Sequence, residues 1–70
     1  MQNTIIFATK RGGSYNYRKY LIVDLDNREY ATEPRKAWYT REEMIEVTNT
    51  DRHKLIDAFK AKGYKAVENL

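Results

Sequence analysis

The sequence contains no cysteine and has only one proline, one histidine and three glycines among its 70 residues. Without cysteine the chain has no disulfide framework, no thiolate nucleophile and no metal site built on sulfur. This composition is compatible with a reducing compartment. The scarcity of glycine and proline also argues against low-complexity segments and linkers. We therefore expect a single small domain over residues 1–70, with one core near the lower size limit for independent stability.

Long apolar runs are absent too. No stretch of the sequence approaches the roughly 20 residues that span a bilayer. The first seven residues, Met-Gln-Asn-Thr-Ile-Ile-Phe, lack the basic region and the apolar run of a secretory signal. We therefore expect a cytoplasmic protein with no membrane partner.

Side chains suited to catalysis are equally scarce. His53 is the sole histidine and Ser14 the sole serine, so a nucleophile, a base and an orienting group are hard to assemble. The acids Glu42, Glu43 and Glu46 fall near the start of a predicted helix, where the helix dipole explains them. No group of residues has metal-ligand spacing. The sequence predicts a protein that is not an enzyme and has no cofactor.

The strand signal is strongest from Tyr15 to Leu25, which is rich in aromatic and β-branched residues and lies between two turn signals. Its apolar residues are concentrated on one of its two alternating faces, where we place the core. That face comprises Tyr17, Lys19, Leu21, Val23 and Leu25, and the other comprises Arg18, Tyr20, Ile22 and Asp24.

Two further strands, Thr4 to Thr9 and Arg28 to Thr32, would flank this central strand. For the first hairpin, a two-residue loop pairs Ile6 with Lys19. A four-residue loop pairs Phe7 with Tyr20, a better match of side chains that we favour. In the second hairpin, a type I′ turn at Asp26-Asn27 would place Tyr30 opposite Val23 and Asp24 opposite Glu29.

The second half of the chain contains residues that typically begin and end helices. Thr40 and Glu43 have the spacing of a capping box, which predicts a short helix up to Val47. A second helix is predicted from Asp51 to Lys62, capped by Asn49 or Thr50, with a left-handed Gly63 after it. Leu55, Ile56 and Phe59 would form its apolar stripe, and Tyr64 would fold back onto Phe59. The predicted fold is α+β: a three-stranded antiparallel meander with two helices packed on one face and room for a short fourth strand at Tyr64 to Val67.

Charge is polarised along the chain, although the formal net charge is only +3. The first hairpin is basic and contains interleaved tyrosines. Basic side chains contact phosphates, aromatic rings stack on bases, and a β-ribbon fits a groove. The same pattern also arises when lysine and arginine protect a tyrosine-rich hairpin from aggregation. The candidate nucleic-acid contacts here are Lys10, Arg11, Tyr15, Tyr17, Arg18 and Lys19.

The two predicted helices and the three-residue break between them have helix–turn–helix spacing. With Gly63 and the following Ala66-Val67, residues 40–67 resemble the helix–turn–helix of phage excisionase-type DNA-binding proteins. The resemblance implies that Arg52, His53 and Lys54 reach DNA. This sequence departs from the family pattern at the turn, where Asn49 and Thr50 replace a glycine and an apolar residue. A plain helical hairpin covering a sheet has the same spacing.

The sequence thus predicts a small non-enzymatic nucleic-acid-binding protein of the accessory kind found in phages or mobile elements, with DNA favoured over RNA. The alternative is a protein-interaction module, an inhibitor or adaptor, that uses the tyrosine-rich sheet face or an open strand edge to bind an acidic partner. Tyrosine and arginine are enriched in protein interfaces as well, so the same surface suits both functions.

Overall fold

The computed structural model describes residues 3–10, 18–36 and 39–70. In these ranges five strands form one mixed sheet in the order β4-β1-β2-β3-β5, and one α-helix crosses it. The class, α+β, is as predicted. No helix in the described part of the chain is long and apolar enough to cross a membrane. The elements are β1 (Thr4–Thr9), β2 (Tyr20–Asp24), β3 (Glu29–Ala31), a 3₁₀ turn (Arg41–Glu43), β4 (Met44–Val47), α1 (Asn49–Ala61) and β5 (Lys65–Ala66).

The predicted antiparallel meander is present as β1, β2 and β3. The prediction missed β4, which pairs in parallel with β1 and makes one edge of the sheet. The short strand predicted after Gly63 forms as β5, which pairs in parallel with β3 and makes the other edge. β4 and β5 lie at opposite edges of the sheet and run in the same direction, so the chain has to cross the sheet between them, and α1 is that connection.

The core lies on both faces of β2. On the helix side, Leu21 and Val23 are fully buried and pack with residues of α1. On the opposite side Ile22 is only 1% exposed. Tyr20 on that side meets Tyr39, from the connection between β3 and β4, with ring centroids 5.9 Å apart. The core predicted from the sequence lies on the helix side, and the covering of the other face depends on where that connection runs.

The register of the first hairpin differs from both alternatives considered. The structure pairs Phe7 with Leu21 and Ile6 with Ile22. This is one residue away from the favoured register, and a shift of one residue exchanges the faces of a strand. The observed register places Phe7 on the helix side, where it packs against the core cluster. Burial of Phe7 against the helix outweighs the aromatic pairing that we favoured.

The register of the second hairpin is as predicted, with Val23 opposite Tyr30 and Asp24 opposite Glu29. The turn itself is different. A type I′ turn needs positive φ at both Asp26 and Asn27, whereas Arg28 has the positive value, 54°. The Asp24 carboxylate accepts hydrogen bonds from the N–H groups of Asp26 and Asn27 and shapes a longer loop. These bonds to a side chain take the place of the predicted type I′ turn.

The predicted first helix is wrong. Its start forms, since the Glu43 carboxylate accepts from the Thr40 hydroxyl at 2.9 Å and from the Thr40 N–H at 3.3 Å. The helix ends after one 3₁₀ turn, and Met44–Val47 extend as β4. A lone turn is costly to nucleate and gains little without elongation. Pairing with β1 stabilises the extended form instead, and this pairing involves residues more than 35 positions away.

The predicted second helix is confirmed, although it begins earlier than expected. Thr48 is its N-cap, and the Thr48 hydroxyl accepts from the Asp51 N–H at 3.0 Å. The expected caps, Asn49 and Thr50, are the first two helical residues. The predicted stripe of Leu55, Ile56 and Phe59 packs against the core.

The end of α1 is also confirmed. Gly63 has φ of +90°, and the Tyr64 N–H bonds the Phe59 carbonyl at 3.1 Å, as in a Schellman motif. The two rings meet edge to face with centroids 4.9 Å apart. Arg28 covers this end, since its guanidinium bonds the Lys62 carbonyl and lies 4.9 Å from the Tyr64 ring centroid. The second hairpin and the helix C-terminus are thereby joined.

Candidate nucleic-acid interface

The two basic segments predicted from the sequence meet at one end of the sheet. This follows from strand directions: β1 ends where β2 begins, and β4 runs parallel to β1, so α1 starts at the same end. A hydrogen bond of 3.0 Å from the Arg52 Nε to the Tyr20 carbonyl joins the start of α1 to the start of β2. We call this region the basic end. Its described members are Lys10, Arg18, Lys19, Arg52, His53 and Lys54.

Four members of the basic end have exposed side chains: Lys10, Lys19, His53 and Lys54. The backbone around Lys19 is held in place, because its N–H bonds the Thr9 hydroxyl and its carbonyl accepts from the Thr9 N–H, both at 2.9 Å. The Lys19 side chain therefore extends from an ordered stretch of backbone. Rigid placement of charge reduces the entropy lost when a phosphate binds.

Arg18 is partly engaged within the protein. Its guanidinium lies 3.3 Å from the Glu46 carboxylate and donates to the Thr9 carbonyl at 3.1 Å. The side chain is only 16% exposed. Arg18 therefore links β1 and β4, and Glu46 neutralises part of the charge that the sequence assigned to nucleic acid.

Arg52 is buried, at 9% exposure, and its guanidinium bonds the Tyr20 carbonyl. In this position the Arg52 side chain joins the helix to the sheet and does not face an external phosphate. The sequence contains a signal for this placement. Arg52 precedes Leu55, Ile56 and Phe59 by three, four and seven residues, so it lies on the stripe of α1 that faces the sheet.

The helix–turn–helix interpretation depended on two consecutive helices. The structure has a 3₁₀ turn and the strand β4 in place of the first one. His53 and Lys54 remain exposed on the single helix. Three of the predicted contacts, Arg11, Tyr15 and Tyr17, lie outside the described residues, as does the first part of the predicted central strand.

The opposite end of the sheet carries the acidic hairpin. Asp24 is 2% exposed, and its carboxylate accepts from the Asp26 N–H at 3.0 Å and from the Asn27 N–H at 3.1 Å. The Asn27 side-chain amide donates at 2.9 Å. These bonds, the Asn27 N–H foremost, hold the pKa of Asp24 below its ordinary value of 3.8. Asp24 therefore keeps its negative charge to a lower pH than an ordinary aspartate does.

A pH dependence of stability follows from this carboxylate. Since its folded-state pKa is lowered, Asp24 stabilises the fold above its ordinary pKa, and this contribution is lost as the pH falls through the lowered value. We expect Asp24→Asn to reduce stability at neutral pH and to flatten the loss of stability below about pH 4. Urea unfolding at a series of pH values measures both effects.

Glu43→Gln is the control for that experiment. In the parent, the pKa of the Glu43 carboxyl is also below its ordinary value, mainly because the Lys36 ammonium group donates a hydrogen bond of 3.1 Å to it. If stability falls as steeply with acid in Asp24→Asn as in the parent, and less steeply in Glu43→Gln, then Glu43 and not Asp24 causes the pH dependence.

Sequence reasoning missed two surface features. Lys60, Lys62 and Lys65 are exposed near the C-terminus of α1 and the start of β5, away from the basic end. Ile45 is 51% exposed on the edge strand β4. The β4 assignment was needed to find Ile45, because in the predicted helix this residue would face the core. No cluster of histidine or acidic residues suited to a metal ion occurs in residues 3–10, 18–36 and 39–70.

Together these features describe a small α+β protein with a basic end, an acidic hairpin and one apolar sheet edge. Comparisons of the chain with protein-family models, curated proteins and solved structures find no match. The resemblance of residues 40–67 to excisionase-type proteins therefore stays a prediction.

Proposed function

We propose that the protein is a small, non-enzymatic nucleic-acid-binding protein that contacts phosphates through its basic end. The observation that carries the proposal is the convergence of two segments more than 30 residues apart, which the Arg52–Tyr20 hydrogen bond holds together. Phosphate contacts need cations that are exposed and fixed in position, and Lys10, Lys19 and Lys54 are exposed.

The charge around these lysines supports the proposal. The acids close to them in the fold or along the helix include Glu46, which pairs with Arg18, and Asp51 and Asp57, each three residues from Lys54 on α1. The more acidic hairpin around Asp24 lies at the far end of the sheet. This separation orients the molecule in the field of a polyanion, with the basic end leading.

The test is a salt titration of binding to duplex DNA of random sequence. We expect affinity to fall steeply with salt, with a slope in log–log form of about −0.9 for each phosphate contacted. The triple variant Lys10→Gln, Lys19→Gln and Lys54→Gln should bind at least tenfold more weakly, and each lost contact should flatten the slope by about 0.9. All three side chains are exposed, so circular dichroism and the melting temperature should stay unchanged.

The chain offers a matched control in Lys60→Gln, Lys62→Gln and Lys65→Gln. This variant loses the same charge at exposed positions away from the basic end. It should keep nearly the affinity of the parent. An equal loss of affinity in both variants would mean that binding depends on net charge and not on the basic end. A parent that binds neither duplex DNA, single-stranded DNA nor RNA at low salt would show the proposal to be wrong.

A second candidate function is a protein-interaction module. The observation in its favour is the exposed Ile45 on β4, the outermost strand of the sheet. In the salt titration such a module would show weak or no nucleic-acid binding at moderate ionic strength.

A further inference from the structure

Arg18 and Glu46 form an ion pair at the basic end. The Arg18 Nη1 atom lies 3.3 Å from the Glu46 Oε2 atom and also donates to the Thr9 carbonyl at 3.1 Å. The arginine side chain is only 16% exposed, and two bonds from one nitrogen fix the position of its guanidinium. The Glu46 side chain is more open to solvent, at 44% exposure. Breaking an exposed pair of this kind costs little, so the carboxylate can leave while the arginine stays in place.

This pair is where an acid neutralises a cation of the basic end. Within residues 3–10, 18–36 and 39–70 the other ion pair is Lys36 with Glu43, which lies before β4. All ten acidic residues of the chain fall inside these ranges. Neutralisation at the basic end is therefore concentrated on one arginine.

The ion pair lies on the side of the sheet away from the helix. Glu46 is opposite Ala8 in β1, and Ala8 is opposite Tyr20 in β2. Residues directly opposite each other lie on the same side of a sheet. Tyr20 contacts Tyr39 on the side that α1 does not cover, so the Glu46 carboxylate holds Arg18 on that side.

The exposed lysines at the start of β2 and in α1 lie on the helix side. Lys54 belongs to α1 itself. Lys19 is opposite Thr9, to which two backbone hydrogen bonds join it. Thr9 follows Phe7 by two residues and therefore shares its side, which is the side that packs against the core cluster and the helix. Free positive charge thus lies on one side of the basic end, and the neutralised arginine on the other.

We propose that Glu46 restricts phosphate binding to the helix side of the basic end by competing with phosphate for Arg18. This inference rests on the proposed function, because it assigns a regulator to the same site. A guanidinium forms charge-assisted hydrogen bonds with carboxylate and phosphate oxygens alike. A phosphate that approaches Arg18 has to displace the Glu46 carboxylate, and repulsion between the two anions opposes its approach. Glu46 is a positioning residue, since it contacts Arg18 and not the nucleic acid.

The variant Glu46→Gln tests the competition, because it keeps the size of the side chain and removes its charge. It should bind duplex DNA of random sequence more tightly than the parent, with a salt slope steeper by about 0.9 as Arg18 gains one phosphate. A single contact contributes little near 1 M salt, so the gain should be about eightfold at 0.1 M and about twofold at 0.5 M. A purely structural role for Glu46 has the opposite consequence, since loss of the pair would loosen Arg18 and leave binding unchanged or weaker.

Asp26→Asn is the matched control. It removes the same charge in the acidic hairpin at the far end of the sheet, and its remaining oxygen can still accept from the Asn3 N–H, as the Asp26 carboxylate does at 3.1 Å. Its gain in affinity should be clearly smaller, because salt screens charges at that separation. A second control places Glu46→Gln in an Arg18→Gln background, where it should gain no more than Asp26→Asn does. Circular dichroism of each variant confirms that it is folded.

The outcomes separate this inference from the proposed function. If the parent binds and Glu46→Gln binds no more tightly than Asp26→Asn, the role of Glu46 is wrong and the proposed function stands. An eightfold gain that persists in the Arg18→Gln background would also overturn the inference, since Arg18 would then not be the group that Glu46 occupies. If neither the parent nor Glu46→Gln binds at low salt, both proposals are wrong.

Discussion

Leu21→Ala is expected to destabilise the protein by about 2–5 kcal/mol. Leu21 is fully buried in the centre of β2, where it is part of the core cluster with Val23 and Tyr30. Truncation removes apolar contacts and leaves a cavity between the sheet and α1, which the strand ladders on both sides of β2 prevent from collapsing. A 70-residue domain has roughly 4–10 kcal/mol of stability, so the variant should be largely or partly unfolded.

Urea unfolding followed by circular dichroism measures this loss. Ile45→Ala is the comparison, because this side chain is 51% exposed. The Ile45→Ala variant should lose less than about 1 kcal/mol of stability. Similar costs for the two variants would mean that Leu21 is not in the centre of the core.

Arg52→Met is expected to destabilise the fold by about 1.5–3 kcal/mol, the usual contribution of a hydrogen bond to a charged group. Methionine retains the apolar stem of the arginine but cannot donate to the Tyr20 carbonyl, which is then left without this partner. The same bond holds the start of α1 against β2. Thermal and urea unfolding of the variant measure the loss.

The exposed neighbour His53 offers the control, since His53→Met should change stability by about 0.5 kcal/mol or less. Nucleic-acid affinity separates the two roles considered for Arg52. If Arg52 is a link within the fold, the folded fraction of Arg52→Met should bind as the parent does. Full stability combined with lost binding would instead show that Arg52 turns outward to contact phosphate, as the sequence alone predicted.

Predictions from local sequence were reliable where the residues involved contact others only a few positions away in the chain. Gly63 and Tyr64 end α1 as expected, because the hydrogen bonds and the ring contact involve only the preceding turn. The second hairpin has the expected register, because only a few residues separate its strands. The charge polarity likewise follows from the order of residues.

The candidate site was predictable in part. Lys10, Lys19, His53 and Lys54 are exposed, as a binding role requires. Their convergence at one end was not predictable, because it depends on β4 running parallel to β1. The placement of Arg52 was within reach of the sequence, since it lies on the sheet-facing stripe of α1, but its charge favoured an exposed position.

The sequence by itself determined the α+β class, the meander, and the long helix α1 with its end, since each rests on short-range periodicity, turn chemistry or capping. The tertiary structure decided the state of Met44–Val47, the register of β1 against β2 and the cover on the second face of the sheet. In each of these three cases, a local preference of the chain competes with strand pairing or burial that distant residues contribute. For Met44–Val47 the capping box favours a helix locally, and the hydrogen bonds and burial gained beside β1 favour a strand. Those gains exist only once β1 and β2 have formed, and the local sequence contains no signal for them.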